Sequence, residues 1–299
     1  MGITKNCSRF LVYARAKGVS YERAIMLGRQ VLYVNKDEFI DQIKHYSVAS
    51  SEMAMSLPFE KFAEPLFSIL GATRIDSIDY SDYEGASIIH DLNQPLPQFL
   101  QKKYSIVFDG GTLEHVFNFP QAIKNCMDML EVGGHFLSIT PTNNLCGHGF
   151  YQFSPELFFS VFSEKHGFVI KLLAMGVEQD AEGITEWYQV NDPKTVKRRV
   201  TLRNSQPTHI MIIAQKITDT ENISLQPIQS DYEMVWEVFS SQKNDIPIKH
   251  ERKVIYYYRK YMPSFLKQVV RKFVGSSEVH RDLTGLGIVN PDFFKKMEV

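Results

Sequence analysis

The chain has 299 residues, 44% of them hydrophobic and 22% charged, a balance that suits a packed globular fold and excludes a disordered chain. Its formal charge of −1 creates no overall field to attract a polyanion, so nucleic acid is not expected as a partner. Cys7, Cys126 and Cys146 include no C-x-x-C pair, which argues against a disulfide framework or a zinc knuckle and fits a reducing cytoplasm.

The N-terminal stretch is punctuated by Arg9, Arg15 and Lys17, unlike the uninterrupted apolar core of an export signal, and a cytoplasmic location is the expectation. No apolar run approaches the roughly 20 residues that span a bilayer. Short apolar runs alternate with amphipathic segments, the pattern of parallel strands joined by crossover helices. The strand candidates begin with Ala24 to Leu27, closed by Gly28. After a helical region come Arg74 to Asp79, then Ala86 to His90 ending at Asp91, then Ser105 to Phe108 running into Asp109-Gly110-Gly111. A helix is expected over Pro120 to Glu131, with Ala122, Ile123, Cys126, Met127 and Leu130 on one face and Gly133-Gly134 as its left-handed cap. His135 to Ile139 is the fifth strand, stopped by Pro141. Ser154-Pro155-Glu156 signals a second helix to about Ser163, and Phe168 to Leu173 and His209 to Ala214 complete seven strands.

After Lys216 the composition changes. Thr218 to Asp231 is polar and aperiodic, and His250 to Phe273 interleaves Arg252, Lys253, Arg259, Lys260, Lys267, Arg271 and Lys272 with tyrosines. The expected organisation is an α/β domain over residues 1–217 and a linker with a basic, aromatic helical appendage over 218–299. For that appendage three readings stand: a helical cap or homodimerisation element, peripheral contact with an anionic membrane surface, and charge-and-stacking contact with nucleic acid, of which the first is preferred.

Three motifs occur in order: Phe108-Asp109-Gly110-Gly111-Thr112-Leu113-Glu114-His115-Val116, then Leu130-Glu131-Val132-Gly133-Gly134-His135-Phe136, then Pro141 and Gly167-Phe168. Together they resemble the class I S-adenosylmethionine-dependent methyltransferases, with a Rossmann-like fold, over about two-thirds of the chain. The resemblance implies a doubly wound, mostly parallel seven-stranded sheet with helices on both faces, S-adenosylmethionine as cofactor and a small-molecule acceptor. In such a sheet ligands sit beyond the carboxyl ends of the strands where strand order reverses, and Gly28, Asp79, Asp91, Asp109 and Glu114 all follow strands. The resemblance assigns Asp79 to the ribose hydroxyls and Asp91 with the backbone of Leu92 to the adenine edge. An Asp after a strand is also an ordinary turn cap. Gly28 and Arg29 are the candidates for the methionine end and Asp109 and Gly110 complete the cofactor set, although family members carry more glycines and an acid in the first loop, where this chain has Met26-Leu27-Gly28-Arg29-Gln30.

His115 and His148 are the candidate catalytic bases, with packing at a helix start and a solvated loop as the bland alternatives. Ubiquinone-pathway and small-RNA methyltransferases resemble the chain at Glu114-His115, where an E-x-x-E-H cluster holds magnesium. Gly111 stands at the upstream glutamate position, so no metal is expected. Glu114, Asn143, Asn144, Tyr151 and Gln152 are the candidate acceptor-binding residues, the last four on a loop that Gly147 and Gly149 would let move as a lid, or on a rigid loop packed at the sheet edge. The expected activity is methyl transfer to an oxygen or nitrogen of a polar small molecule, such as a sugar or secondary metabolite. A catalytically inactive methyltransferase-like binding subunit is the rival, and a nicotinamide dehydrogenase is disfavoured by the absence of any G-x-G-x-x-G.

Overall fold

The computed structural model describes residues 2–49, 51–56, 58–59, 61–179, 185–196, 200–202, 204–219, 227–230, 232–233, 236 and 293–299. The elements in chain order are β1 (Gly2–Ile3), α1 (Lys5–Ala16), β2 (Arg23–Leu27), β3 (Val31–Leu32), α2 (Lys36–Tyr46), α3 (Ser51–Ser56), α4 (Glu64–Ile69), β4 (Arg74–Asp79), β5 (Ile88–Ile89), β6 (Tyr104–Asp109), α5 (Phe119–Met129), β7 (Leu130–Asn143), α6 (Pro155–Val161), β8 (Phe168–Glu178), β9 (Thr185–Val190), α7 (Pro193–Val196), β10 (Thr208–Lys216) and β11 (Phe294–Lys296). Among these residues no helix is long and apolar enough to cross a membrane.

A nine-stranded sheet runs in the order β11-β9-β8-β10-β7-β6-β2-β4-β5, and β1 and β3 form a separate parallel pair. The β5-β4-β2-β6-β7 stretch is parallel throughout, whereas β7, β10, β8, β9 and β11 pair antiparallel. The sheet is therefore mixed, which corrects the expectation of seven mostly parallel strands. The extra strands escape pattern reading for different reasons. β9 interrupts its buried Trp187, Tyr188 and Val190 with Glu186 and an exposed Gln189, and β11 is a three-residue edge with two lysines.

Alternation along the central strands divides the core. Ile25, Leu27 and Val107 face one side with Ala122, Ile123, Cys126 and Met127 of α5 and Phe158 and Val161 of α6. Ala24, Met26, Ile106 and Phe108 face the other, against Phe10, Leu11 and Ala14 of α1, Phe39 and Ile43 of α2, and Leu66 and Phe67 of α4. Helices thus cover both faces, as period-2 strands buried on both sides require. Local chemistry starts these helices: Thr4 accepts from the Cys7 N–H at 3.3 Å, Asn35 from Glu38 at 2.9 Å and Ser154 from Leu157 at 3.4 Å. On α1 the Cys7, Phe10, Leu11, Ala14 spacing is the apolar stripe, and Trp187 of β9 meets Phe10 and Tyr13 edge-on at 6.2 and 5.6 Å.

Two boundaries differ from the sequence reading. The helix α5 stops at Met129 and Leu130 turns extended, so Gly133 (φ +90°) and Gly134 lie inside β7 rather than capping the helix. A side chain at position 134 would approach the Glu131 and Tyr104 carbonyls to 3.0 Å, so the glycine serves a close approach of backbones. At the C-terminal end, residues expected in the appendage rejoin the sheet: β11 pairs with β9, and Arg9 donates to the Val299 carbonyl at 2.9 Å. The basic stretch His250 to Phe273 lies outside the described residues.

Candidate functional site

The chain proceeds from β2 outward to β4 and β5, then returns across β2 to β6 and continues to β7, so strand order reverses between β2 and β6. Register aligns the strand ends there. Leu27 pairs with Ile78 on one side and Asp109 on the other, and Asp109 pairs with Ser138. The Gly28 N–H donates to the Ile78 carbonyl at 2.8 Å, and the Thr112 hydroxyl donates to the Leu27 carbonyl at 2.7 Å. Gly28, Asp79 and Asp109 therefore stand side by side on one rim.

On the β2–β4 side, Gly28 has φ +69°, a conformation that glycine adopts without strain. Asp79 is half-buried, and its Oδ1 accepts from the Tyr80 N–H at 2.6 Å. Tyr80 and Tyr83 beside it are 75% and 90% exposed. The Asp91 carboxylate accepts from the backbone and side chain of Asn93 at 2.9 and 2.7 Å, bonds that hold its pKa below the ordinary value. The carbonyl of Leu92, whose side chain is buried, accepts from Asn125 at 3.1 Å. Arg29 is engaged by the protein itself: its Nε donates to Glu64 at 2.7 Å, Nη1 donates to the Glu84 carbonyl at 3.0 Å, and the guanidinium lies 3.9 Å from the Phe62 ring centroid. Gln30 is fully buried, donates to the Leu27 carbonyl at 2.7 Å and abuts Gly110, where a Cβ would fall 2.8 Å from its Oε1. A nucleoside fits the features of this half: a carboxylate at a strand end, exposed aromatic faces and a side-chain-free approach at Gly28. Arg29 instead knits the first loop to its neighbours, and Gln30 turns back on β2 with its Oε1 left without a hydrogen-bond partner.

On the β6–β7 side Asp109 is fully buried. Its Oδ1 accepts from the Thr112 and Leu113 N–H groups at 2.8 and 3.3 Å, and its Oδ2 from the Ser138 hydroxyl at 2.8 Å. Burial nevertheless pushes the carboxyl up to about 6. These bonds fix the single helical turn Leu113 to His115, which presents Glu114 inward and His115 outward. Glu114 is 1% exposed, and burial followed by the Asp109 charge pushes its carboxyl up to about 8. His148 comes from the loop after β7, and its Nε2 stands 3.3 Å from the Glu114 Oε1. The His115 and His148 rings are 5.2 Å apart, and desolvation, then His148, lowers the His115 pKa, leaving a neutral imidazole at pH 7.

The loop after β7 is tied down through Glu114. The Phe150 and Tyr151 N–H groups donate to the Glu114 carbonyl at 2.7 and 3.3 Å, the Tyr151 hydroxyl to the Phe117 carbonyl at 2.6 Å, and the Leu145 N–H to the Gln152 side chain at 3.0 Å. Asn143 and Asn144 both donate to the Asn204 side chain, at 2.7 and 3.0 Å, turning toward the segment before β10. Gly149 has φ +76°, and a Cβ there would lie 2.8 Å from the Glu114 carbonyl oxygen. The packed-loop reading describes this network better than the mobile-lid one. Sequence reasoning passed over Phe117 and Phe150, exposed by 74% and 68% and edge-to-face at 5.9 Å beside the two histidines. Their signal was present: two large aromatics flank the histidine positions without helical or strand periodicity.

No family model matches the chain, and no curated protein matches it. Solved structures with a likeness include a protein from Bacillus halodurans C-125 provisionally assigned as a methyltransferase, at 10% identity, 69% of this chain and 99% of that one, TM-score 0.38. Others are TehB from Haemophilus influenzae, at 14% identity, 69% and 61% of the two chains, TM-score 0.37, and the branched-chain polyamine synthase from Thermus thermophilus with N4-aminopropylspermidine and 5'-methylthioadenosine, at 14% identity, 77% and 61%, TM-score 0.35. The chain spans about 61% of the length of these last two. Likenesses this distant do not bear on activity, and the architecture stands on strand order and register.

Proposed function

We propose that the protein is an S-adenosylmethionine-dependent methyltransferase acting on an oxygen or nitrogen of a polar small molecule, such as a sugar or secondary metabolite. One observation carries this reading: strand order reverses between β2 and β6, the place where open α/β sheets take their ligands, and Gly28 and Asp79 share that rim, with Glu114, His115 and His148 beyond the next strand. When bound, the cofactor supplies an electrophilic methyl group. Asp79 accepts the ribose hydroxyls, Gly28 lets the ligand approach the backbone, and Tyr80 and Tyr83 cover its flat faces. Asp109 acts through the turn it holds, positioning Glu114 and His115. The neutral His115, or His148 beside it, takes the proton of an acceptor hydroxyl or amine. Phe117 and Phe150 flank the acceptor, whose orientation toward the methyl group accounts for much of the rate.

A second reading, a binding subunit without activity, is favoured by one feature: the Arg29 guanidinium spends its donors on the protein's own Glu64 and Glu84. Calorimetry with S-adenosylhomocysteine separates the two. Micromolar binding that is lost in Asp79→Ala is expected, whereas no detectable binding to the wild-type chain overturns the enzyme reading.

A further inference from the structure

We infer that the cleft between the C-terminal end of α1 and the strands β7, β10 and β8 binds a small phosphorylated compound, a dianion of the phosphate-monoester class. The cleft lies at the edge of the sheet opposite the rim of Gly28 and Asp79. Strand β10 spans the distance between them: Thr208 pairs with Asn143, the last residue of β7, whereas Gln215 pairs with His135 near the start of β7 and with Val169 near the start of β8. The volume is about 450 Å³, within the ~300–1,000 Å³ of small-ligand sites, and Tyr13, Lys17, His135, Lys171 and Gln215 supply the polar lining. Among the described residues no Asp or Glu lines the cleft, and neither lysine has an ion-pair partner.

Two further observations point to an anion. His135 is 8% exposed, and its Nδ1 is buried without a hydrogen-bond partner. A neutral imidazole donates through one nitrogen and accepts through the other. Burial, followed by the charge of Lys171, drives the His135 pKa down to about 4, so the ring is neutral at pH 7. A buried polar group without a partner is costly, and an anion in the cleft would receive the ring N–H after a rotation about the Cβ–Cγ bond. Lys171 reaches the cleft through an irregularity of the sheet. Ile213 pairs with Leu172 and Ala214 with Ile170, so Lys171 is the extra residue of a β-bulge. Strict alternation would send Lys171 and Leu172 to opposite faces, yet both line the cleft.

The lining decides the ligand. A phosphate monoester brings nearly two negative charges at pH 7 and three acceptor oxygens, which match two ammonium groups, the His135 N–H and the Gln215 amide, whereas a single carboxylate brings one charge and two oxygens. Lysine binds phosphate as a point charge. The negative end of α1 is blunted, since the Tyr13, Ala14 and Arg15 carbonyls accept from the Lys17, Val19 and Gly18 N–H groups respectively. Val19, Leu172 and Ile213 are buried and give an apolar wall for the body of the ester. Binding here requires no methyl donor and is independent of the methyl-transfer reading.

The test is titration of the full-length protein with inorganic phosphate and with glycerol 3-phosphate at constant ionic strength, read by calorimetry and by the ring protons of His135 in NMR. One anion per chain is expected, at least tenfold tighter for glycerol 3-phosphate than for chloride, and weakened at least fivefold in Lys17→Met and in Lys171→Met, which keep an apolar stem and remove the charge. The His135 pKa should climb from about 4 as the anion saturates, because a negative neighbour favours the imidazolium. Lys165→Met, at an exposed lysine after α6, should leave the affinity unchanged. Absence of saturable one-to-one binding, equal affinity for succinate, full affinity in a Lys17→Met, Lys171→Met double variant, or an unmoved His135 at saturation would overturn the site. S-adenosylhomocysteine binding should be the same in that double variant, so failure of the anion and failure of the methyl-transfer reading are read separately.

Discussion

The two halves of the rim are built on opposite economies. Between β2 and β4 the candidate groups are shallow: Asp79 is half-buried, Tyr80 and Tyr83 are open to solvent, and the Arg29 guanidinium is absorbed in loop-to-loop bonds. Between β6 and β7 the chain buries two carboxyl groups, wraps that of Glu114 in glycines and fastens a long loop to the same residue's backbone carbonyl. Burying ionisable groups destabilises a fold, and such groups persist where their perturbed chemistry is used. In the proposed methyl-transfer reading, the β6–β7 side supplies the reacting groups and the β2–β4 side holds a ligand that brings its own.

The harshest challenge to this contrast is Gly149→Val. The new side chain would meet the Glu114 carbonyl and Cγ at a backbone conformation that β-branched residues avoid. A loss of about 1–3 kcal/mol in denaturant unfolding is expected, with a fall in methyl transfer beyond tenfold. Unchanged stability would mean that the loop is not seated on Glu114.

A pH series tests the burial of Asp109. Its folded pKa of about 6 lies above the ordinary 3.8, so the protonated form is favoured by folding. The associated stabilisation is present below pH 3.8 and is lost as pH rises through about 6. In Asp109→Asn this part of the pH dependence should vanish, and about 1–2 kcal/mol should be lost throughout because an amide cannot accept all three bonds from Thr112, Leu113 and Ser138. Matching pH profiles for wild type and variant would show that Asp109 does not titrate differently on folding.

The mildest effect is expected on the other half. Arg29→Ala removes a part-exposed ion pair with Glu64 and a contact over Phe62, worth ~0.5–1 kcal/mol after solvent screening. Its S-adenosylhomocysteine affinity should change less than threefold. A larger loss would assign the guanidinium to the ligand after all.

The central strands were legible in the sequence because apolar runs bounded by Gly28, Asp79 and Asp109 have few other interpretations, and Arg74 to Asp79 falls on β4 without a shift. The histidine pair was legible as two candidates but not as a pair, since 32 residues, among them α5 and β7, separate His115 from His148 and only tertiary packing brings them together. Gly133-Gly134 misled for a physical reason. Gly133 takes a positive φ and Gly134 a close approach between backbones, both needs that a helix cap would share, and the sequence records only the need for glycine. Gln30 gave no warning of its burial, because a polar side chain enters the core only where backbone carbonyls happen to receive it.

The packing of Trp187 against α1 has a practical consequence. The chain has two tryptophans, one sealed between Phe10, Tyr13 and the Arg9 guanidinium and the other, Trp236, 54% exposed. Detachment of the N-terminal helix would uncover the enclosed indole to water and redden its emission, so a Trp236→Phe background would turn ordinary fluorescence into a gauge of that flank alone.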